Sequence, residues 1–408
     1  MPGGRLAGLN KFMRAAIISA IILLFTFFPL AASANPFEAA GFEHFYNLEY
    51  DQATADFREE IASQPDNPNG YNHLAQAILY REMLRSGALE SQLVTGNNPF
   101  LRRQKMNPRP EDRSRFDDSI AKAIGLGEKR LAKNSQDTGA LYSLGVSYAL
   151  RANYSFLVRK AWLEALRDST TARKYHNQVT EIDPSFIDAR LLQGLHDYIV
   201  GSLPWTMKML GFLGGFHGDR EEGIRTLQLV AEKGHLDRVD AQILLAVIYR
   251  RERRPLDAIP LLSKLVDEYP RAYLLRFEQA QMYGDAGNKA QALDALRKIE
   301  ELKRAGVPGY TRVPEEKIRY ARGNLLFWYN DLDHALDDLK AVTARADALD
   351  LSTGVLAWMR LGQTYDLKGE RSNAVAAYRQ AIHYAPQSEA AKESRGYISS
   401  PYRRRKAG

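Results

Sequence analysis

The sequence predicts an all-α fold in which short antiparallel helix pairs are repeated in tandem. Apolar residues recur with the period of a helix face in each segment that shares the repeat. Small residues return at a fixed interval, as at Ala258 and Ala292, which are 34 residues apart. The chain has 408 residues, of which 45% are hydrophobic and 26% charged, so it can bury a large core. These observations favour a repeat array over a set of unrelated globular domains.

Residues 1–34 are predicted to be a secretory signal peptide. Three basic residues, the first of them Arg5, precede an apolar run at residues 15–30, and the small residues 32–34 form a cleavage site. The apolar run is shorter than the ~20 residues that a spanning helix needs. Cleavage after Ala34 and export to the periplasm are therefore expected, and the absence of cysteine suits that oxidising compartment. The alternative is an inner-membrane protein anchored by an uncleaved N-terminal segment.

The repeat is clearest at residues 358–386. Its characteristic residues are, in order, Trp358, Leu361, Gly362, Tyr365, Gly369, Ala374, Tyr378, Ala381 and Pro386. Small residues in this pattern let two helix axes approach, large residues fill the space between them, and proline ends the second helix. The pattern resembles the tetratricopeptide repeat (TPR). The resemblance implies a right-handed TPR solenoid of about eight helix pairs.

The phase of the repeat divides the rest of the chain. Residues 35–236 are predicted to form N-terminal TPR-like repeats, residues 237–388 a regular TPR array, and residues 389–408 a basic C-terminal tail. The end of the tail, from Pro401, is expected to be disordered. Three insertions separate the two helices of a pair and should emerge on one edge of the solenoid; they lie at about 86–119, 152–168 and 200–219.

The resemblance also implies where a partner would bind. In TPR proteins the first helices of the pairs line a groove, and in the middle pairs of this chain the groove positions are apolar: Tyr142, Val146, Leu191, Leu195, Tyr198, Ile243 and Val247. The sixth and eighth pairs have a polar lining that is expected to be solvated: Glu278, Gln281, Asp285, Arg360, Gln363 and Asp366. An open apolar groove would be large for a soluble protein, so we expect something to cover it.

Two insertions are candidates for that cover. One carries Trp162, and the other carries Trp205 within the aromatic-rich residues 203–216. Three interpretations stay open: permanent packing over the groove floor, a partly open pocket or groove that takes a partner's amphipathic helix, and contact of residues 203–216 with a membrane interface. Trp162 and Trp205 therefore join the candidate binding residues.

Residues 215–223 read Gly-Phe-His-Gly-Asp-Arg-Glu-Glu-Gly. This run resembles a G-F-x-G-D-R-x-x-G signature in a eukaryotic TPR family tied to the mitochondrial outer membrane and inclusion-body clearance. A structural explanation is favoured over an active site. Gly218 relaxes the chain, and Asp219 can accept hydrogen bonds from the amides that open the next helix.

The sequence gives no support for catalysis. It has 8 histidines without metal-binding spacing, no cysteine, no nucleophile elbow and no phosphate loop, so neither a metal nor a cofactor is expected. The net charge is +7, and it is +4 without the three basic residues of the predicted signal peptide, which is too modest to indicate nucleic-acid binding. We therefore predict an exported, non-catalytic scaffold for protein–protein interaction in the cell envelope. The alternative is a ligand-binding accessory subunit of a transport or envelope-assembly system, with a pocket in the middle repeats.

Overall fold

The computed structural model describes residues 35–89, 106–203, 217–346, 349 and 351–404. Within these residues every regular element is a helix, so the predicted all-α fold is confirmed. The chain forms two compact units, one ending at Glu252 and the other beginning at Arg253. None of the described helices is both long and apolar enough to cross a membrane.

The first unit contains nine α-helices within its described residues: α1 Pro36–Tyr46, α2 Tyr50–Ser63, α3 Pro68–Arg85, α4 Pro110–Lys133, α5 Thr138–Tyr154, α6 Trp162–Ile182, α7 Leu191–Gly201, α8 Arg220–Lys233 and α9 Arg238–Arg251. Helices α1 to α8 pack as consecutive antiparallel pairs, and each pair also contacts the next. Proline stands at the start of α1, α3 and α4, where its missing N–H costs nothing.

The second unit contains eight described α-helices: α10 Pro255–Glu268, α11 Tyr273–Asp285, α12 Lys289–Arg304, α13 Glu315–Trp328, α14 Leu332–Thr343, α15 Leu351–Leu367, α16 Arg371–Tyr384 and α17 Glu389–Ser399. Gly287 and Gly369 follow α11 and α15 with φ of +83° and +79°. That left-handed conformation suits glycine, and it turns the chain from the first helix of a pair to the second.

The small residues that set the phase of the repeat are the points where paired helices touch. Seven alanines at the corresponding position are fully buried, at 0% exposure: Ala53, Ala123, Ala172, Ala258, Ala292, Ala335 and Ala374. A Cβ atom on Gly362 would lie 2.5 Å from the ring of Tyr378, so α15 and α16 pack as closely as the pattern predicts.

The second insertion does not form a separate segment. Helix α5 continues to Tyr154, a π-helical turn spans Ser155–Arg159, and α6 begins at Trp162, so most of the added residues lengthen the pair. Phe156 and Leu157 are buried in that turn. The first insertion also contributes helix, because α4 begins at Pro110 and its Phe116 stacks on Tyr154 with ring centroids 4.0 Å apart.

The C-terminal region differs from the expected disordered tail. Residues 389–399 form α17, which packs against both α16 and α15. The chain then continues in an ordered form to Arg404, and the ring of Tyr402 lies 6.0 Å from that of Phe327. The expectation rested on the basic residues, but the aromatic side chain that precedes them provides a packing contact.

Candidate functional site

The first unit contains all the candidate binding residues that the structure describes. Five are almost completely buried, with exposures of 0–1%: Tyr142, Val146, Leu191, Leu195 and Tyr198. Ile243, Val247 and Trp162 are half-buried. Trp205 lies outside the described residues.

Tyr142 is fixed by contacts inside the unit. Its ring stacks on His176 with centroids 4.7 Å apart, and its hydroxyl donates to Asp237 Oδ2 at 2.7 Å. Burial, together with the charge of Asp237, raises the pKa of Tyr142 well above its ordinary value. Asp188 holds the start of α9, because its Oδ1 accepts from the backbone N–H groups of Leu236 and Asp237 at 2.8 Å. The tyrosine is therefore part of the structural interior.

A second tyrosine–aspartate bond joins the two ends of the first unit. The hydroxyl of Tyr46 on α1 donates to Asp240 Oδ2 on α9 at 2.8 Å, across 194 residues of sequence. Burial raises the pKa of the Asp240 carboxyl well above its usual range. Between these ends, α3 and α5 are buried around most of their circumference. The unit's own helices therefore occupy the space that an open groove would offer a partner.

The residues of the 215–223 run that the structure describes have structural roles. Asp219 Oδ1 accepts from the Glu222 amide at 2.7 Å, so the predicted helix cap is confirmed. A Cβ atom on Gly218 would lie 2.7 Å from Val200 Cβ, and one on Gly223 would lie 2.3 Å from the Tyr198 nitrogen. Gly218 is thus required for the close approach of α7 and α8. Its φ is not in the left-handed region, so the expected conformational role of this glycine is not the reason for its presence.

Arg220 completes this arrangement through Glu252. The carboxylate of Glu252 accepts from Arg220 Nη1 at 3.0 Å and from the Tyr198 hydroxyl at 2.8 Å. Tyr198 lies on α7, Arg220 is the first residue of α8, and Glu252 directly follows α9. The arginine and the tyrosine together therefore fix the end of α9. These contacts favour the structural explanation of the signature.

The second unit offers a different surface, which we call the groove patch: Phe327, Trp328, Arg360, Gln363 and Asp366. Gly323 occupies the eighth position of its repeat, which places Phe327 and Trp328 at groove positions of α13. The other three residues are groove positions of α15, and α13 and α15 contact each other. The repeat around Gly323 departs from the TPR pattern, so the sequence alone does not identify these two aromatic residues as groove residues.

Residues 400–404, which we call the C-terminal segment, cover part of the groove patch. The backbone N–H of Tyr402 donates to Asp366 Oδ2 at 2.7 Å. Arg404 donates from Nη2 to the backbone carbonyl of Phe327, and its guanidinium lies 5.2 Å from the centre of the Phe327 ring. Nothing in the sequence beyond an aromatic residue in a basic tail signals this contact.

The predicted solvated lining at the eighth pair is corrected by these contacts. Gln363 is only 3% exposed, and the side chain of Asp366 only 1%. The Asp366 carboxylate also accepts from Arg371 and from the Tyr378 hydroxyl, both at 2.8 Å. A buried carboxylate with three donors stays in place, so it presents a fixed acceptor to an extended backbone.

Trp328 is the exposed part of the groove patch. The guanidinium of Arg360 lies 4.4 Å from the centre of the Phe327 ring and 4.8 Å from that of Trp328, while Nη1 donates to Gln363 Oε1 at 2.7 Å. Burial lowers the pKa of Arg360. Trp328 is 55% exposed, which leaves a large aromatic face beside the covered region. Exposed tryptophan next to arginine is typical of a protein-binding surface.

Metal chemistry has no visible basis in this part of the chain. The described residues contain no group of three or more histidine, aspartate and glutamate side chains that could hold a metal ion. The chemistry available at the groove patch is hydrogen bonding, aromatic packing and cation–π contact, all of which serve recognition.

Two family models match the chain. Residues 190–305 match the family described as Iml2/Tetratricopeptide repeat protein 39, and residues 355–388 match the Tetratricopeptide repeat. The chain contains tetratricopeptide repeats, as its sequence pattern predicted. It resembles the Iml2/TPR39 group over a region that includes the 215–223 signature. Such repeats support a role as a scaffold for protein–protein interaction.

The solved structures that match the chain share little sequence with it. The human IFIT1 dimer with m7Gppp-AAAA is 13% identical over 95% of this chain and 84% of that one, with a TM-score of 0.42. A tetratricopeptide repeat protein from Parabacteroides merdae is 14% identical over 80% and 97%, with a TM-score of 0.30. YrrB, a TPR protein with an unusual peptide-binding site, is 16% identical over 66% and 97%, also with a TM-score of 0.30. No curated protein matches the chain.

Proposed function

We propose that this protein is an exported, non-catalytic scaffold of the cell envelope that binds an extended segment of a protein partner on the groove patch. The observation that supports binding there is the C-terminal segment, because the patch already accommodates an extended peptide through a backbone N–H, a ring and a guanidinium. The support for export is the order of basic, apolar and small residues in positions 1–34.

The groove patch suits such a partner better than the first unit does. Asp366 accepts from main-chain N–H, a contact that any extended non-proline residue can make, whereas Trp328 and Arg360 provide selective side-chain contacts. In the first unit most of the equivalent groove residues are buried, and the hydroxyl of Tyr142 is hydrogen-bonded to the buried Asp237. A partner there would first have to break buried hydrogen bonds, each costing ~1–3 kcal/mol.

Site-specific photo-crosslinking tests this binding site. A photoreactive amino acid replaces Trp328 in the full chain, expressed in its own cells, and the crosslinked partner is identified and purified. Leu163 of the first unit, which is 62% exposed, is the matched control position. We expect crosslinks from position 328 and not from position 163. Trp328→Ala should then weaken binding of the purified partner at least tenfold, whereas Leu163→Ala should not.

A partner that crosslinks equally at both positions, or that binds the Trp328→Ala chain unchanged, would contradict this site. Export is tested separately by N-terminal sequencing of protein recovered from the envelope fraction, where we expect a chain that begins at Asn35. A chain that begins before residue 15 would indicate a retained anchor. The proposed membrane contact of residues 203–216 falls largely outside the described residues and stays a prediction.

A further inference from the structure

We infer that the C-terminal segment competes with the partner for the groove patch, and that the partner's segment carries an aromatic residue followed two positions later by arginine. This inference rests on the proposed function. Its basis is the arrangement of Tyr402 and Arg404. Both residues contact the groove patch, Tyr402 through its backbone N–H and Arg404 through its side chain, as a bound peptide could.

The C-terminal segment is anchored close to the groove patch by the end of α17. Arg371 donates from Nη2 to the carbonyls of Tyr397 and Ile398, at 2.8 and 2.6 Å, and so ties the end of α17 to the start of α16. Beyond α17, Ser400 is extended, with φ −131° and ψ 111°. Only a few residues separate this tie from Tyr402. The segment therefore meets the patch at the high effective concentration of a short tether, on the order of millimolar.

The contacts of the segment itself are few. They include the Tyr402 N–H to Asp366, the Arg404 guanidinium to the Phe327 carbonyl and ring, and the Tyr402 ring against Tyr397 and the apolar cluster around Phe327. Pro401 and Arg403 are exposed. So small an interface is held mainly by its tether, and a partner that also covers Trp328 can replace it.

The same contacts define what the partner must present. Asp366 is fixed by Arg371 and Tyr378 and takes a backbone N–H as its third donor. The Phe327 ring takes an aromatic side chain from that residue, and the Phe327 carbonyl takes a long donor from two positions further on. The residue between them points to solvent, as Arg403 does, so its identity is free. The motif is aromatic-x-Arg in an extended conformation.

A labelled peptide tests the competition. The peptide Ile-Ser-Ser-Pro-Tyr-Arg-Arg, which copies residues 398–404, is titrated with the full mature chain by fluorescence anisotropy. We expect the double variant Tyr402→Ala, Arg404→Ala to bind it at least tenfold more tightly than the wild-type chain does. Arg403→Ala, the matched control within the same segment, should bind like the wild type. A peptide with alanine in place of tyrosine should not bind the double variant.

Equal affinity of the peptide for all three chains would overturn the inference. Hydrogen exchange of the wild-type chain gives a second measurement that needs no variant, because excess peptide should speed exchange of the Tyr402 amide and leave that of α16 unchanged. Unchanged exchange at Tyr402 in peptide excess would also overturn it. A wild-type dimer that the double variant cannot form would show that the segment is exchanged between copies, which contradicts the intramolecular contact.

The partner found by crosslinking separates this inference from the proposed function. A partner that binds the double variant at least tenfold more tightly than the wild-type chain supports both. A partner that binds both chains equally would overturn the competition while leaving the binding site intact. Peptide binding to the double variant without any partner crosslinked at position 328 would overturn the proposed function alone.

Discussion

Gly145 shows how one position can be limited to one residue type. It lies on α5 against α6, where a Cβ atom would come within 2.0 Å of Cδ2 of His176. The imidazole cannot move away easily, because it is fully buried, stacks on Tyr142 and bonds to the Tyr142 carbonyl. Gly125 on α4 is the opposite case, since nothing lies within 4 Å of its added Cβ.

These two glycines give a matched prediction. Gly145→Ala should destabilise the first unit by about 2–3 kcal/mol through overpacking. Gly125→Ala should leave stability unchanged or raise it by up to ~1 kcal/mol, because alanine is the better helix former. Urea unfolding monitored by circular dichroism measures both. Equal midpoints for the two variants would contradict the packing of α5 on α6.

Asp240 should make the free energy of unfolding depend on pH, and the substitution Asp240→Asn should remove this dependence. Burial raises the pKa of its carboxyl, so the folded chain keeps a proton that the unfolded chain loses above its ordinary value of 3.8. The contribution of Asp240 to stability therefore falls as pH rises from that value, by ~1.4 kcal/mol per pH unit until the folded pKa is reached. Asparagine keeps the acceptor for the Tyr46 hydroxyl.

We therefore expect Asp240→Asn to match the wild type near pH 4 and to be the more stable protein at pH 7. Free energies of unfolding across this pH range measure the difference. Asp66→Asn, at an exposed carboxylate of the same unit, is the control for removal of one negative charge. If the difference in free energy of unfolding between Asp240→Asn and the wild type stays constant with pH, the pKa of the Asp240 carboxyl is not raised in the folded chain.

The packing of each helix pair depends on a few small and large residues at fixed positions of the repeat, and the sequence therefore predicts the pairs well. The small residue of the second helix is fully buried wherever the pattern placed an alanine, from Ala53 to Ala374. Local spacing does not reveal how far a helix extends. The π-helical turn at Ser155–Arg159 and the early start of α4 depend on contacts such as Phe116 with Tyr154, between residues far apart in sequence.

Helix α12 allows the phase to be tested with one substitution at two places. Ala292 is fully buried, whereas Ala290 on the same helix is exposed. Ala292→Trp should destabilise by at least ~3 kcal/mol, because the indole would force α11 and α12 apart. Ala290→Trp should change stability by less than ~0.5 kcal/mol. Thermal melting of both variants is sufficient, and similar shifts would refute the assigned phase.

Across the chain, the sequence predicts the kind of binding surface, a groove lined by the first helices of the pairs, better than it predicts where that groove is exposed. The repeat pattern identifies the groove positions, but it does not show whether a groove is open. In the first unit, Tyr46 and Asp240 join its two ends, and in the second unit the C-terminal segment covers part of the polar lining. Both contacts connect residues with no relation in the repeat, so periodicity contains no signal for either.

The long-range bond gives a prediction about cooperativity in the first unit. Tyr46→Phe leaves the buried Asp240 carboxyl without its donor, which should destabilise the unit by ~1–3 kcal/mol. Because the bond joins α1 to α9, amide hydrogen exchange should speed up in both helices, whereas exchange in α15 should not change. Faster exchange in α1 alone would show that the two ends do not stabilise each other.

The bond between Tyr46 and Asp240 also sets an order of events during synthesis. Repeat arrays usually fold through contacts between neighbours, so folding can begin as each pair leaves the ribosome. Here the partner of Tyr46 is made 194 residues later. Until α9 emerges, the bond from Tyr46 to Asp240 cannot form, so the side of α1 that carries Tyr46 is available to chaperones. Under the export proposed above, a chain kept unfolded for translocation would benefit from this delay, because its first unit cannot close before most of it has been synthesised.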